Sequence, residues 1–184
     1  MNSLHIKRAI QICEKGGVIA YPTEAVFGLG CLPLNGQSVH KILELKDRSI
    51  NKGLILVAAN IKQLEPFADF SRIENTQAIY TSWPGPVTWI VPVLENIPEW
   101  LTGEHDSLAV RVSSHPVIQS LCEQLGPIVS TSANPESLEP AKTNQQVRMY
   151  FGEDVDYVIP ATISNTLKPT EIRHALTGKI IRQS

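Results

Sequence analysis

Two cations stand two positions apart in the chain, Lys46 and Arg48, and Lys52 follows closely. Side chains two positions apart point to nearly opposite sides of a helix but to the same side of an extended chain. If the two cations act together, the helix preceding them must therefore end near Leu45. A guanidinium fork beside an ammonium group suits a polyphosphate. The alternative is that cations simply favour a helix C-terminus, which is the better interpretation of these residues taken alone.

A row of small polar groups follows the apolar segment 128–129. Ser130, Ser132 and Asn134 project from one face for as long as the chain stays extended. Three such groups could form a ligand-binding edge. An ordinary strand-to-turn transition explains them as well, because Ser and Asn favour turns and Pro135 ends the strand.

Two other polar sites interrupt apolar strands. Thr23 and Glu24 follow Pro22 at the end of the first predicted strand, where open α/β sheets tend to bind ligands, although a plain turn is equally compatible. Alternation along 107–112 places Arg111 on the face opposite its apolar neighbours. Arg111 could clamp a carboxylate, or it could lie on a solvated face of the sheet.

The elements that must position these groups alternate along the chain. Helical spacing and stop signals predict helices within 3–15, 39–45, 73–82, 116–125 and 143–151. Apolar runs predict strands at 18–21, 54–59, 87–93, 108–112, 128–131, 157–159 and 179–182. Such interleaving favours a three-layer α/β arrangement around a mixed β-sheet, in a single domain over residues 1–184.

Composition narrows the function classes. With 42% hydrophobic and 18% charged residues, the chain has enough apolar material for a core, and its net charge of −2 argues against a protein that is basic all over. A local basic patch stays possible. The three cysteines form no CxxC and the five histidines are scattered, so neither a disulfide framework nor a protein-built metal site is expected. No segment has the ~20 apolar residues of a membrane span, and the start lacks a signal-peptide pattern; we expect a cytoplasmic protein.

Standard motifs for nucleotide or acyl chemistry are absent from the sequence. There is no G-x-x-x-x-G-K-[ST] and no G-x-S-x-G, and Gly28-Leu29-Gly30 is too short for a dinucleotide fingerprint. These motifs alone would not predict ATP binding.

In their order along the chain, the polar clusters resemble the YrdC/TsaC family. The resemblance runs from about residue 5 to the C-terminus. Its segments are Tyr-Pro-Thr-Glu at 21–24, Lys-x-Arg at 46–48, Trp-Pro-Gly-Pro-Val-Thr at 83–88, Ser-Leu-Ala-Val-Arg-Val at 107–112 and Ser-Thr-Ser-Ala-Asn at 130–134. The resemblance implies a YrdC/RibB-like fold of α+β type, in which helices flank an open, twisted mixed sheet with a positively lined concave face. Because the chain ends at Ser184, it is similar to the short, single-domain bacterial members.

The resemblance also implies an activity. L-threonine, bicarbonate and ATP would give threonylcarbamoyl-AMP and pyrophosphate, the first step in modifying the adenosine beside certain tRNA anticodons. Mg²⁺ would arrive with the nucleotide, and tRNA and the downstream threonylcarbamoyl-transfer proteins would be partners. By the same resemblance, Lys46 and Arg48 would be catalytic. The residues implied for ATP binding are Lys46, Arg48, Lys52, Ser107, Ser132, Asn134 and Arg182, and those for threonine are Thr23, Arg111, Ser130 and Thr170.

The chain departs from the family pattern at three places. Val57 stands where members often carry a histidine, and Lys52 where they have a small polar residue. Glu136-Ser137 replaces a small Ser-Gly, which weakens the expectation of phosphate contacts from that loop.

Three other functions are alternatives to the synthase. A noncatalytic RNA-binding module could use a basic concave face formed by Lys46, Arg48, Lys52, Arg111, Lys168, Arg173 and Arg182. A carbamoyl-adenylate activity would resemble domains of hydrogenase maturation proteins, but their zinc-finger and acylphosphatase modules are absent from the sequence. Dihydroxybutanone-phosphate synthase chemistry needs acidic metal ligands, and no convincing cluster of them can be assembled.

Overall fold

The computed structural model describes residues 3–161, 163 and 170–183 of the 184-residue chain. Its α-helices are α1 (Ser3–Glu14), α2 (Gly36–Leu45), α3 (Gln77–Ser82), α4 (Glu99–Thr102), α5 (Pro116–Leu125) and α6 (Asn144–Phe151). Its strands are β1 (Ile19–Pro22), β2 (Phe27–Gly30), β3 (Ile55–Ala58), β4 (Val87–Pro92), β5 (Ser107–Val112), β6 (Ile128–Ser132), β7 (Tyr157–Val158), β8 (Glu171–His174) and β9 (Ile180–Arg182). Short 3-10 turns occur at Ile50–Lys52, Ile61–Gln63 and Phe70–Arg72.

The strands described form one mixed sheet in the order β7-β1-β2-β6-β3-β5-β4-β8-β9. The pairs β1–β7, β3–β5 and β4–β8 are parallel, and the remaining neighbours are antiparallel. The centre, β6-β3-β5-β4, joins segments far apart in sequence, so the strands that carry the polar clusters become neighbours only in the folded chain.

Helices cover both faces of this sheet. On one face, α2, α3, α4 and α6 pack on the larger core, which contains Leu56, Val110 and Val129. On the other, α1 and α5 pack on a smaller core that includes Val57 and Ile128. Burying apolar area in both cores is the main stabilising contribution to this layered arrangement. The predicted three-layer α/β fold with a mixed sheet is confirmed.

The alternation predicted in β5 is also confirmed. Leu108 and Val110 lie in the larger core, whereas Ala109 and Arg111 face the opposite side. Helix α5 begins and ends where the pattern predicted, with Pro116 in its first turn.

Several elements differ from the sequence-based expectation. The helix predicted over 73–82 is confined to Gln77–Ser82, and β2, β8 and α4 were not predicted. Strand β2 contains two glycines, which are depleted in strands. A side chain at Gly30 would place its Cβ 2.6 Å from the Val129 carbonyl oxygen and 2.7 Å from Tyr21 Cε1, so close packing across the sheet requires glycine there.

Candidate functional site

A cavity of about 690 Å³ lies on the α1/α5 side of the sheet, over the part that these helices leave uncovered. The smaller core and the cavity share that face because Ile55 and Val57 of β3 point the same way: Ile55 lines the cavity and Val57 is buried in the core. Nine of the predicted site residues line it: Thr23, Arg48, Lys52, Ser107, Arg111, Ser130, Ser132, Thr170 and Arg182. Lys46 and Asn134 are not part of its wall.

Helix α2 ends at Leu45, as the spacing of the cations required. Lys46 is its C-cap, and Asp47 follows with a φ of 51°. The Asp47 amide donates to Glu44 O at 3.0 Å and the Arg48 amide donates to Leu43 O at 2.9 Å. This pair of bonds is a Schellman motif, in which a left-handed residue satisfies the last helical carbonyls and reverses the chain. The motif sends Lys46 and Arg48 to neighbouring positions at one end of the site.

Lys46 lies beneath the cavity wall, only 4% exposed. Its ammonium donates to Ser132 O at 2.6 Å, to Asn134 O at 2.7 Å and to Asn134 Oδ1 at 3.3 Å. An ammonium has three N–H donors, so these three oxygens use all of them. Burial, together with the nearby Arg48, lowers the pKa of Lys46 to about 8. Lys46 therefore ties the end of β6 to the end of α2 and supplies a buried positive charge behind the cavity.

Arg48 and Lys52 are the cations at this end that reach the cavity itself. Arg48 Nη2 donates to Gly53 O at 2.9 Å, which holds the guanidinium against the turn after Ile50–Lys52. Lys52 forms an ion pair with Glu136, and that pairing lowers the pKa of Glu136. Glu136-Ser137, one of the departures from the family pattern, thus places a carboxylate beside the cations.

Only part of the polar row formed by Ser130, Ser132 and Asn134 faces the cavity. Ser130 and Ser132 line it, as predicted. Asn134 is buried, and its side-chain amide donates to Leu138 O at 2.6 Å and to Pro135 O at 3.0 Å. The alternation stops because β6 ends at Ser132. The backbone N–H of Asn134 then donates to Ser132 O at 3.0 Å, which closes a three-residue turn. Asn134 shapes the loop that holds Lys46.

Arg111 lies at the other end of the cavity in a network of buried polar groups. Its Nη2 donates to Glu24 Oε2 at 3.3 Å, and its Nη1 donates to Thr170 Oγ1 at 2.9 Å and to Thr88 Oγ1 at 3.3 Å. Glu24 also accepts a hydrogen bond of 2.6 Å from Ser113 Oγ. The side chains of Arg111 and Glu24 are 6% and 13% exposed. The guanidinium is therefore held rigidly, with its charge partly balanced inside the protein.

Thr170 connects Arg111 to the last strand. Arg182 donates from Nη2 and Nε to Thr170 O at 2.8 and 3.1 Å, and from Nη2 to Thr170 Oγ1 at 3.3 Å. Thr23 closes a turn at the opposite wall, where its hydroxyl donates to Val26 O at 2.7 Å. Thr23 Oγ1 keeps both of its lone pairs for a ligand amine. Thr170 Oγ1 already accepts from Arg111 and Arg182, so its O–H is the group that it could offer to a ligand.

Three buried polar atoms without a partner belong to residues of this wall. They are Arg48 Nε, Arg111 Nε and His174 Nδ1; within the described ranges the same condition holds for a fourth, Tyr21 Oη. Buried donors are nearly always satisfied in native proteins, so an orphaned one calls for an explanation. As the side chains stand, these atoms are closed off from the cavity, so a ligand would reach them only if the wall shifted.

The sequence did not single out every residue of this site. The sequence places Glu24 beside Thr23 without indicating a role for it, and in the structure it is the carboxylate that orients Arg111. His105, Asp106 and His174 also line the cavity. His174 gave no signal because β8 was not predicted. The floor between the two ends is apolar, formed by Ile55, Ala109 and Ile90 in one register row across three strands.

The part of the chain described contains no group of three or more His, Cys, Asp and Glu side chains close enough to hold a metal ion. Asp106 is the one carboxylate among the described wall residues. In the same ranges no helix is long and apolar enough to cross a bilayer.

Comparison with known proteins identifies the family. The model of the Sua5/YciO/YrdC family, which carries the description "Telomere recombination", matches residues 11–184. The chain belongs to the Sua5/YciO/YrdC family. This confirms the resemblance inferred from the ordered polar clusters.

Family members close in sequence match almost end to end. A Yersinia enterocolitica protein named threonylcarbamoyl-AMP synthase is 50% identical over 185 residues, covering 99% of this chain and 97% of its own length. An Enterobacter protein of the same name is 50% identical over 181 residues, covering 97% and 95%. Proteins so named are enzymes.

Solved structures of the Sua5/YciO/YrdC family share the fold. Sua5 of P. abyssi in complex with L-threonine superposes with a TM-score of 0.84 at 29% identity over 92% of this chain. The H234A/Y235A form of P. abyssi Sua5 gives 0.89 at 28% identity over 98%. This chain spans 50% and 56% of those two chains. YciO of E. coli gives 0.79 at 23% identity and covers 97% of this chain and 90% of its own, which supports the fold.

Proposed function

We propose that this chain is a threonylcarbamoyl-AMP synthase that acts as a nucleotidyltransferase. The amine of L-threonine combines with bicarbonate to give a carbamate and water. A carbamate oxygen then attacks the α-phosphorus of ATP, the bond to the β-phosphate oxygen breaks, and pyrophosphate leaves. The product is threonylcarbamoyl-AMP, for which tRNA and the proteins that transfer the threonylcarbamoyl group would be the downstream partners.

One observation carries this proposal. A single cavity has a cationic end at Arg48 and Lys52 and an amino-acid end at Arg111 and Thr170. The arrangement suits a substrate pair with phosphates at one end and a carboxylate at the other. The names of the relatives at about 50% identity support the same reaction.

The cationic end would stabilise the transition state. Negative charge grows on the phosphates as pyrophosphate leaves, and fixed positive charges in a partly dry site are the strongest means of stabilising it. Arg48 would contact a phosphate directly. Lys46, with its three N–H groups already bonded to carbonyl and amide oxygens, would act through its charge and by holding the β6 loop in place.

The amino-acid end would bind threonine. Arg111 is oriented by Glu24. Three of its five N–H groups are used within the protein, which leaves one on Nη2 and the buried one on Nε. The Nη2 group would donate to the threonine carboxylate. Thr23, Ser130 and Thr170 would surround the amine and the hydroxyl group. A preformed carbamate requires little proton abstraction, so correct placement of the two reactants would supply much of the rate enhancement.

The residues of the cavity wall are too poor in carboxylates to hold Mg²⁺ by themselves, so they suit a Mg²⁺ ion that is already bound to the nucleotide. Mg²⁺ prefers six oxygen ligands and usually keeps waters and substrate phosphates among them. Asp106 carries the one carboxylate among the described wall residues that could serve as a ligand for such an ion. When bound, Mg²⁺ would neutralise part of the phosphate charge.

The RNA-binding alternative receives less support from the described surface. Of its seven cations, Arg111, Lys52 and Arg173 are paired with Glu24, Glu136 and Glu171 respectively. Lys46 is buried, and Lys168 lies outside the described residues. Much of the expected basic face is therefore neutralised or hidden.

Pyrophosphate release tests the two functions against each other. Purified protein is incubated with ATP, Mg²⁺ and bicarbonate, with and without L-threonine, and with serine and glycine as controls. Release that depends on threonine, together with a threonylcarbamoyl-AMP product detected by mass spectrometry, is the expected result. Folded protein that releases no pyrophosphate but binds tRNA in a salt-sensitive way would replace the synthase with the RNA-binding module.

A further inference from the structure

Glu136 occupies an unusual place in the site. Its carboxylate pairs with Lys52, which lines the cationic end of the cavity. It also lies near enough to Arg48 and Lys46 to favour their charged forms and so to raise the pKa of each. Its backbone amide donates to Lys46 O at 2.8 Å, so the residue is fastened to the end of α2. The carboxylate is thus held beside three cations by a fixed backbone.

The other cations at this end leave Lys52 with a specific task. Lys46 has no N–H left for a phosphate, since Ser132 O, Asn134 O and Asn134 Oδ1 accept all three. Arg48 uses one of its five N–H groups on Gly53 O and its Nε–H is buried, so its Nη groups stay available to a phosphate as a guanidinium and not as an ammonium. Lys52 is therefore the remaining ammonium that a polyphosphate can reach, and Glu136 already holds it.

The Lys52–Glu136 pair is built so that it can open. The two side chains are 46% and 48% exposed, and exposed ion pairs contribute little net stability because water screens them and their side chains lose entropy. A polyphosphate that carries several charges can compete with one carboxylate for such a lysine.

We propose that Glu136 is a built-in competing anion, which holds Lys52 while no nucleotide is bound, is displaced by the phosphates of ATP, and returns as pyrophosphate leaves. This inference rests on the proposed function, whose phosphate end it refines. By subtracting one charge from a cluster of three cations, Glu136 lowers the affinity for ATP and for pyrophosphate together. Weaker pyrophosphate binding favours product release, so the residue sets a balance between capturing ATP and freeing the product.

The test is pyrophosphate binding to the full chain, measured by isothermal titration calorimetry at about 50 mM salt and again at about 500 mM, where the Debye length is only a few ångströms. The variant is Glu136→Gln, which keeps the shape and removes the charge. Glu139→Gln in the same loop is the matched control, since Glu139 is exposed and forms no ion pair among the described residues.

The expected result is that Glu136→Gln binds pyrophosphate about two- to fivefold more tightly at low salt, with the difference vanishing at high salt, while Glu139→Gln behaves like the unmodified protein. In a Lys52→Met background the Glu136→Gln change should have a much smaller effect. Steady-state rates should show stronger inhibition of Glu136→Gln by added pyrophosphate. Equal or weaker pyrophosphate binding by Glu136→Gln would overturn the inference.

Failure of this inference can be told apart from failure of the proposed function. Threonine-dependent pyrophosphate release by the unmodified protein is measured on the same preparation. Activity with no difference between the Glu136 and Glu139 variants removes the competing-anion role alone. No activity in the unmodified protein removes the synthase assignment, and unmodified protein that binds no pyrophosphate removes the inference as well.

Discussion

Arg111 of the cavity wall forms an ion pair with Glu24 behind it, with Arg111 Nη2 3.3 Å from Glu24 Oε2 and both side chains largely buried. The pair joins β5 to the turn after β1, two segments 87 residues apart in sequence. A buried arginine whose partner is removed keeps an uncompensated charge, which costs more than the net contribution of the intact pair. Glu24 therefore both stabilises the fold and fixes the orientation of Arg111.

Removing Glu24 should destabilise the protein. We expect Glu24→Ala to lower the free energy of unfolding by about 3 kcal/mol, which corresponds to a fall of roughly 6–12 °C in Tm for a chain of this length. Thermal unfolding followed by circular dichroism measures it. Glu153→Ala, at an exposed residue after α6, is the control. A Tm equal to that of the control would mean that the pair does not hold Arg111.

Loss of Arg111 should affect threonine more than ATP. We expect Arg111→Ala to raise the KM for threonine at least tenfold and the KM for ATP much less, because a charge-assisted hydrogen bond to the carboxylate is lost. Initial rates at varied threonine and ATP measure both constants. Arg148→Ala on α6 is a matched control, since Arg148 donates to Gly152 O away from the cavity. The reverse pattern would show that the threonine and phosphate ends are exchanged.

Removing the charge of Arg48 should slow catalysis. We expect Arg48→Ala to reduce kcat by about 10²–10³, the range seen when one donor to a developing oxyanion is removed. The Tm should fall only slightly, because Arg48 contacts one carbonyl oxygen of the protein, Gly53 O. Arg8→Ala on the exposed side of α1 serves as control. A near-normal kcat in the Arg48 variant would remove it from the catalytic group.

The charge on Lys46 predicts a particular pH dependence. Burial lowers the pKa of Lys46 from 10.5 to about 8, so the positive charge behind the phosphates is lost as the pH rises through about 8. We expect kcat to fall over that range. In the unfolded chain Lys46 keeps its proton up to about pH 10.5, so the unfolded state binds more protons between these values and this lysine makes the fold more stable as the pH rises.

From pH 7 to 10, the titration of Lys46 should therefore lower kcat while it raises the free energy of unfolding. Lys46→Met removes the titrating group, and we expect it to lower kcat and to abolish the rise in stability assigned to Lys46. Activity and stability that fall together in the unmodified protein would indicate that unfolding, and not deprotonation of Lys46, limits the rate.

The left-handed residue after α2 gives a prediction about stability alone. Asp47 has a φ of 51° at the position where glycine is favoured. We expect Asp47→Gly to raise the free energy of unfolding slightly with kcat unchanged, and Asp47→Val to lower it by about 1 kcal/mol or more. Denaturant unfolding measures both changes. If Asp47→Val proves neutral, the Schellman turn is not what presents Lys46 and Arg48.

Local patterns predicted much of the architecture. The ends of α5 and the core of β5 follow from apolar spacing, proline and turn residues, because these signals act over a few neighbouring positions. Strand β8 carries no such signal: Glu171–His174 is polar, and it is a strand because it pairs with β4. Helix α4 is a single turn of four residues, too short for a period to be recognised.

For the site, the order of motifs along the sequence was sufficient to identify the family and to name nine of the residues that line the cavity. Side-chain chemistry and strand alternation are local properties, so Ser130, Ser132 and Arg111 could be placed on the ligand face in advance. Three relationships were decided by tertiary structure alone: the burial of Lys46 under the β6 loop, the pairing of Arg111 with Glu24, and the pairing of Lys52 with Glu136. Each depends on distances between segments brought together by the β6-β3-β5-β4 sheet, and buried charges select whichever partners that packing supplies.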